Sequence, residues 1–117
     1  GCSTNSILHL TAIAKEAGIK IDLEKINNIS SKVPNLCRLS PAGEHYIEDL
    51  QVAGGIMAVM NELDKKGVLH KGQKTVSCKT IGQLYENCPR KTSVIASCEK
   101  PFSKTGGIRV LRGNLAK

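Results

Sequence analysis

Apolar positions crowd the first part of this chain. Ile7, Leu8, Leu10, Ala12, Ile13, Ala14 and Ala17 cover nearly every face of a helix over 6–17, and water is first met at Lys15 and Glu16. A helix that is apolar almost all round belongs inside something larger, so this one is expected to be the most buried element. Ser3 or Thr4 caps its start and Gly18 its end. Ile19-Lys20-Ile21 reads as an extended connector. Asp22 then caps a second helix, with Leu23, Ile26 and Ile29 at helical spacing and Glu24 in the first turn, stopped by Ser30, Ser31 and Pro34.

The alternation over 35–39 predicts a short strand, and 40–43 a turn. Helical spacing resumes from Glu44 through Ile47, Leu50 and Ala53, meets Gly54-Gly55, and continues through Ile56, Val59, Met60 and Leu63 to Lys66. Glycine inside a helix costs about 1 kcal/mol per residue against alanine. The pair therefore marks a break where two helices abut, or a close backbone approach. Further on, 75–78 and 93–96 read as strands, and Thr80 caps a short helix through Leu84 and Tyr85. Residues 88–91 form a loop and 101–107 a long turn. The stretch 108–115 starts a strand with no partner after it.

Composition limits this picture. The 117 residues suit one domain or part of one. Tyr46, Tyr85 and Phe102 are the only aromatics, so the core must be aliphatic and a free-standing form only modestly stable. The first residue is Gly rather than Met, and together with the unpartnered final strand this makes the chain read as a cut piece. No apolar run approaches the roughly 18 residues of a membrane span, and no signal-peptide pattern appears.

The net charge of +7 is uneven. Residues 1–64 hold five Lys/Arg against eight Asp/Glu, whereas 65–117 hold twelve against two. A basic half is a feature of nucleic-acid-binding modules. Here the positives (Lys65, Lys66, Lys71, Lys74, Arg90, Lys91) are scattered through turns without aromatic interleaving. A solvated surface, or a face that meets acidic parts of a longer chain, is the better expectation. Five cysteines, an odd number without a signal peptide, point to reduced thiols in the cytosol. Cys78, Cys88 and Cys98 are spaced by ten with no C-x-x-C pair. They read as small buried hydrophobes or, if tertiary structure gathers them, as metal or cluster ligands.

Two groupings offer chemistry. The Ser3-Thr4-Asn5 start of the first helix combines free N–H groups, the positive dipole end and small polar side chains. It reads either as an ordinary cap or as a seat for an anion. Glu48 and Asp49 are paired carboxylates, but adjacent helical positions point about 100 degrees apart, which favours a solvated face.

Three stretches carry a resemblance. Gly1-Cys2-Ser3-Thr4-Asn5 with Leu8-His9-Leu10 resembles the G-G-S-T-N-x-x-L-H-L motif of dihydroxy-acid dehydratases. Residues 48–56, E-D-L-Q-V-A-G-G-I, resemble their E-D-L-H-x-A-G-G-I segment. Pro101-Phe102-Ser103-Lys104-Thr105-Gly106-Gly107 with Gly113-Asn114-Leu115-Ala116 resembles P-x-S-x-T-G-G-x-x-x-L-x-G-N-L-A. Cys2 replaces the second Gly, Gln51 the His, and Met57 stands where Pro is usual.

The resemblance implies an internal piece of an α/β protein. It covers the helix-rich later part of an N-terminal α/β domain (1–100) and ends at the first strand of a C-terminal β-rich domain (101–117). It implies a hydro-lyase that converts 2,3-dihydroxy acids to 2-oxo acids in branched-chain amino-acid biosynthesis. A sugar-acid dehydratase of the 6-phosphogluconate type is the alternative within the family, and a basic nucleic-acid-binding module or a stand-alone structural domain lies outside it. It further implies an iron–sulfur cluster and Mg²⁺ whose ligands lie outside these residues, and a cytoplasmic homodimer with no nucleic-acid or membrane partner. Ser3, Thr4 and Asn5 are then the substrate-binding candidates. No catalytic or metal-binding residue is expected within the chain, and the isolated piece is expected to be inactive.

Overall fold

The computed structural model describes residues 3–115. Five helices follow in order: α1 (Thr4–Glu16), α2 (Leu23–Lys32), α3 (Ile47–Val52), α4 (Gly55–Asp64) and α5 (Ile81–Tyr85). Their ends obey local chemistry. Ser3, Asp22 and Thr80 cap α1, α2 and α5 by accepting a backbone N–H bond from Asn5, Glu24 and Gln83. Asp49 reaches back to accept the Tyr46 N–H at 2.7 Å, fixing the start of α3. The second helix runs past Ser30 and Ser31 and stops at Val33, ahead of Pro34.

Gly54 and Gly55 hold φ of +119° and +69°, which turns the chain between α3 and α4. The sequence reading offered two causes for this glycine pair, and both operate. A Cβ on Gly54 would stand 2.6 Å from the Ala58 Cβ and 3.1 Å from the Pro89 carbonyl oxygen.

The core gathers around that turn. Leu36, Leu50, Ala53, Ala58, Ile95 and Cys98 form one buried cluster, with Val59 and Leu63 packed against it. Of the segments predicted as strands, 35–39 and 93–96 contribute side chains to it, and 75–78 and 108–115 do not; none of the four forms a sheet. Among the described residues, β pairing is limited to single bridges at Asn35–Ser103, Leu39–His45 and Lys74–Thr80. Alternation records which side chains turn inward, but a ladder also needs a neighbouring strand. Residues 93–96 place Ile95 in the core and donate the Ala96 N–H to the Leu36 carbonyl at 2.8 Å. Residues 75–78 belong to a tight turn.

The first helix corrects the sequence reading most sharply. Expected to be the most buried element, α1 buries only Ala14 fully, while Leu8, Leu10 and Ile13 are 68%, 55% and 65% exposed. Its apolar surface meets few partners among the described residues. On one side lies a groove of about 450 Å³ between α1, the 19–21 connector and α2, floored by residues 106–108.

One charge is buried in the core. Glu62 of α4 is 2% exposed and accepts the Cys98 N–H at 2.9 Å and Lys65 Nζ at 2.6 Å, with Arg90 Nε at 3.8 Å. The Cys98 thiol donates to the Glu62 carbonyl at 2.9 Å, so one residue ties α4 to the 95–98 loop twice. A second knot joins α4 to α5. Lys71 Nζ pairs with Asp64 Oδ2 at 2.9 Å, beside the buried Tyr85 hydroxyl. Burial, and then the Asp64 charge, push the Tyr85 hydroxyl above its usual range. Among the described residues neither Tyr85 Oη nor Asp64 Oδ1 has a hydrogen-bond partner.

Candidate functional site

The Ser3-Thr4-Asn5 turn is built as a helix start. Ser3 has extended backbone, its Oγ accepts the Asn5 N–H at 3.2 Å, and its carbonyl accepts the Ser6 N–H at 3.0 Å. All three side chains are exposed, and no acidic residue stands in the first turn of α1. The positive end of the helix dipole thus meets no acidic side chain of its own first turn where these polar groups project. Gly1 and Cys2 of the same motif, and Ala116 of the third, lie outside the described residues.

The third motif folds back onto α2. The Gly106 N–H donates to the Ser30 carbonyl, Ser30 Oγ donates to the Ile108 carbonyl at 2.6 Å, and the Val110 N–H reaches Asn27 Oδ1 at 3.2 Å. A Cβ on Gly106 would fall 2.9 Å from the Ser30 carbonyl oxygen, so this close approach needs glycine. Residues 108–110 therefore lie along α2 rather than in a sheet. Ser6 and Ile7 of α1 and Gly106, Gly107 and Ile108 line the same groove. Two motifs a hundred residues apart thus meet on one surface. Spacing alone gave no sign of this; the T-G-G glycines were its only trace in the sequence.

The remaining candidates disperse. Asp49 is used as a helix cap, with His45 Nδ1 at 3.8 Å from the same Oδ2 that accepts the Tyr46 N–H, and Glu48 is exposed. The structure does not bring Cys78, Cys88 and Cys98 to one point. Cys78 is exposed on a left-handed turn at φ +63°, the Cys88 thiol lies 3.6 Å from the Leu84 carbonyl, and Cys98 is in the core. Among the described residues no three His, Cys, Asp or Glu side chains converge as a metal site requires. Sequence reasoning passed over Glu62, which helical spacing alone cannot separate from a surface residue.

Burial, and then the Glu62 charge, raise the Cys98 thiol above its ordinary range; burial does the same to Cys37. The thiolate is the reactive form, so iodoacetamide at pH 8 should modify Cys78 well before Cys98. Peptide mass spectrometry over a time course checks the order, and equal rates would contradict it.

Comparison with known proteins gives this arrangement its context. The family described as dihydroxy-acid/6-phosphogluconate dehydratase N-terminal matches residues 1–84. The dihydroxy-acid dehydratase of Acetivibrio thermocellus is 60% identical over 117 residues, covering 99% of this chain and 21% of the relative. The dihydroxy-acid dehydratases of Caldicellulosiruptor bescii and Carboxydothermus hydrogenoformans are 56% and 53% identical over the same shares. The chain belongs to the dihydroxy-acid/6-phosphogluconate dehydratase family, and it spans about a fifth of the length of the curated relatives it matches. Its helix-rich build suits the N-terminal domain of that family. No helix among the described residues is long and apolar enough to cross a membrane.

Proposed function

We propose that this chain is a segment of a dehydratase that removes water from 2,3-dihydroxy carboxylic acids. In that reaction the C2 proton and the C3 hydroxyl leave as water, and the resulting enol becomes the 2-oxo acid. The place proposed for it is branched-chain amino-acid biosynthesis, in a cytoplasmic homodimer. The observation that carries the reading is the exposed Ser3-Thr4-Asn5 helix start, standing in a motif of a family whose 60%-identical member bears the dihydroxy-acid dehydratase name.

The role assigned to this turn is to hold the substrate carboxylate. The Thr4 and Asn5 side chains offer donors at the helix start, and the dipole favours negative charge there. Holding the carboxylate fixes where C2 and C3 lie, which is how a binding group raises the rate of a step it does not itself perform. The iron–sulfur cluster and Mg²⁺ implied by the family supply Lewis-acid chemistry when bound. Their ligands are proposed to lie outside this segment. Residues 101–117 are read as the entry to the C-terminal domain, and 1–100 as part of the N-terminal one.

The test is a transplant. Residues 1–117 replace the matching segment of the Acetivibrio thermocellus enzyme, and the product is assayed with a branched 2,3-dihydroxy acid and with 6-phosphogluconate. Turnover of the former is expected, while the isolated 117 residues, treated anaerobically with iron and sulfide, stay colourless and inert. Preference for the phosphorylated sugar acid would favour the sister activity. Stoichiometric cluster absorbance and 2-oxo acid production by the isolated chain would overturn the division of labour.

A further inference from the structure

The groove between α1 and α2 is aliphatic along its length, formed by Ile7, Leu10, Ile26, Ile29 and Ile108 among others. Leu10 and Ile29 on its walls are 55% and 54% exposed. Leaving a large aliphatic side chain in water forfeits about 1.5–3 kcal/mol relative to burying it, and several line this one cleft. Its charge is one-sided: Lys20 and Lys25 stand in the lining, which contains no carboxylate. Among the described residues neither lysine makes an ion pair. Four other basic residues do find acidic partners: Lys65, Lys71, Arg90 and Arg112. An apolar trough with unmatched positive charge calls for an apolar occupant that brings negative charge.

We propose that this groove seats an apolar segment bearing at least one carboxylate, supplied by the same polypeptide in family members of full length. The relatives hold about four-fifths of their length outside the region matched here, so there is ample chain to supply it. The site is also framed for such packing. The Gly106–Ser30 contact and the Ser30 hydroxyl bond to Ile108 fix the floor, so the trough is preformed. The carboxylate sits against Lys20 or Lys25 and the apolar face covers Leu10 and Ile29. A small aliphatic ligand would leave much of this length uncovered.

The inference rests on family membership and not on the role given to Ser3, Thr4 and Asn5, so a folded but inactive transplant still reports on it. The experiment uses the transplanted Acetivibrio enzyme carrying Ile29→Cys, mixed from ¹⁴N- and ¹⁵N-labelled subunits. Maleimide labelling at position 29 should be more than about a hundredfold slower in native buffer than in urea. Zero-length carbodiimide coupling should join Lys20 or Lys25 to an Asp or Glu outside residues 1–117, in isotopically unmixed peptides. Mixed-isotope crosslinks would assign the groove to a second copy and overturn the proposal. Fast native labelling with no crosslink would overturn it too, leaving an open surface or a small-ligand cleft. A cysteine at the position aligned with Ile29 in the unaltered Acetivibrio enzyme gives the same labelling readout if the transplant fails to assemble, and rapid native labelling there counts equally against it.

Discussion

Glu62→Ala is expected to lose about 3 kcal/mol of stability. Removing the side chain strands the buried Cys98 N–H, and an unsatisfied buried donor costs about 1–3 kcal/mol. It also leaves a cavity and takes the acceptor from Lys65. Lys65 and Arg90 are 60% and 40% exposed, so water receives much of their charge and the full penalty of a broken buried pair is not reached. Glu62→Gln keeps an acceptor for the Cys98 N–H and should cost about half as much. With an m-value of about 1–3 kcal/mol/M in urea, the alanine variant moves the midpoint by more than about 1 M. An unmoved midpoint would show that the Glu62–Cys98 link does not hold the core.

The same residue sets a pH dependence. Burial alone would raise the Glu62 carboxyl, but the Lys65 and Cys98 hydrogen bonds and the Lys65 and Arg90 charges outweigh it and hold it below its ordinary value. A carboxyl depressed in the folded state stabilises the fold above its unfolded pKa. That contribution is lost as pH falls through the folded value, below the usual glutamate range. Wild type should therefore weaken on acidification below about pH 4.5 more steeply than Glu62→Gln.

Gly54→Ala is expected to cost about 3 kcal/mol. A φ of +119° with ψ near 0° is a region that residues with a Cβ occupy only under strain, worth about 1–3 kcal/mol. The new methyl would also press the Ala58 methyl group in the core. Relief requires separating α3 from α4, which opens the cluster containing Leu50 and Ala53. The neighbouring control is Gly72→Ala, where the added methyl meets open space and the effect should be small. Equal losses at the two positions would contradict the account of the turn.

What could be read from the residues divides along one line. Asp22, Thr80 and the Gly54-Gly55 pair act on backbone within a few residues, and the helix boundaries they set appear where the sequence places them. Residues 35–39 and 108–115 needed a neighbouring strand that no local pattern supplies, and they dock through isolated bridges and hydrogen bonds instead. The apolar pattern of α1 likewise states what the helix should bury against but not whether a partner is at hand, so Leu10 and Ile13 stand exposed. The site shows the same split. Ser3, Thr4 and Asn5 were legible as a helix start, whereas the meeting of Ser6 and Ile7 with Gly106 and Ile108 depends on α2 packing that only the fold reveals.

Asn5→Leu in the transplanted full-length enzyme tests the central claim, that the Ser3-Thr4-Asn5 turn holds a substrate carboxylate. Asn5 is exposed and only its backbone N–H serves the cap, so its side chain contributes little to folding. A hydrogen bond to a charged group is worth about 1.5–3 kcal/mol, which predicts a fall in kcat/KM of about ten- to a hundredfold. Thermal unfolding of the same variant should stay within about 2 °C of the parent. Unchanged kcat/KM, or a loss of turnover that only follows a loss of fold, would contradict the claim.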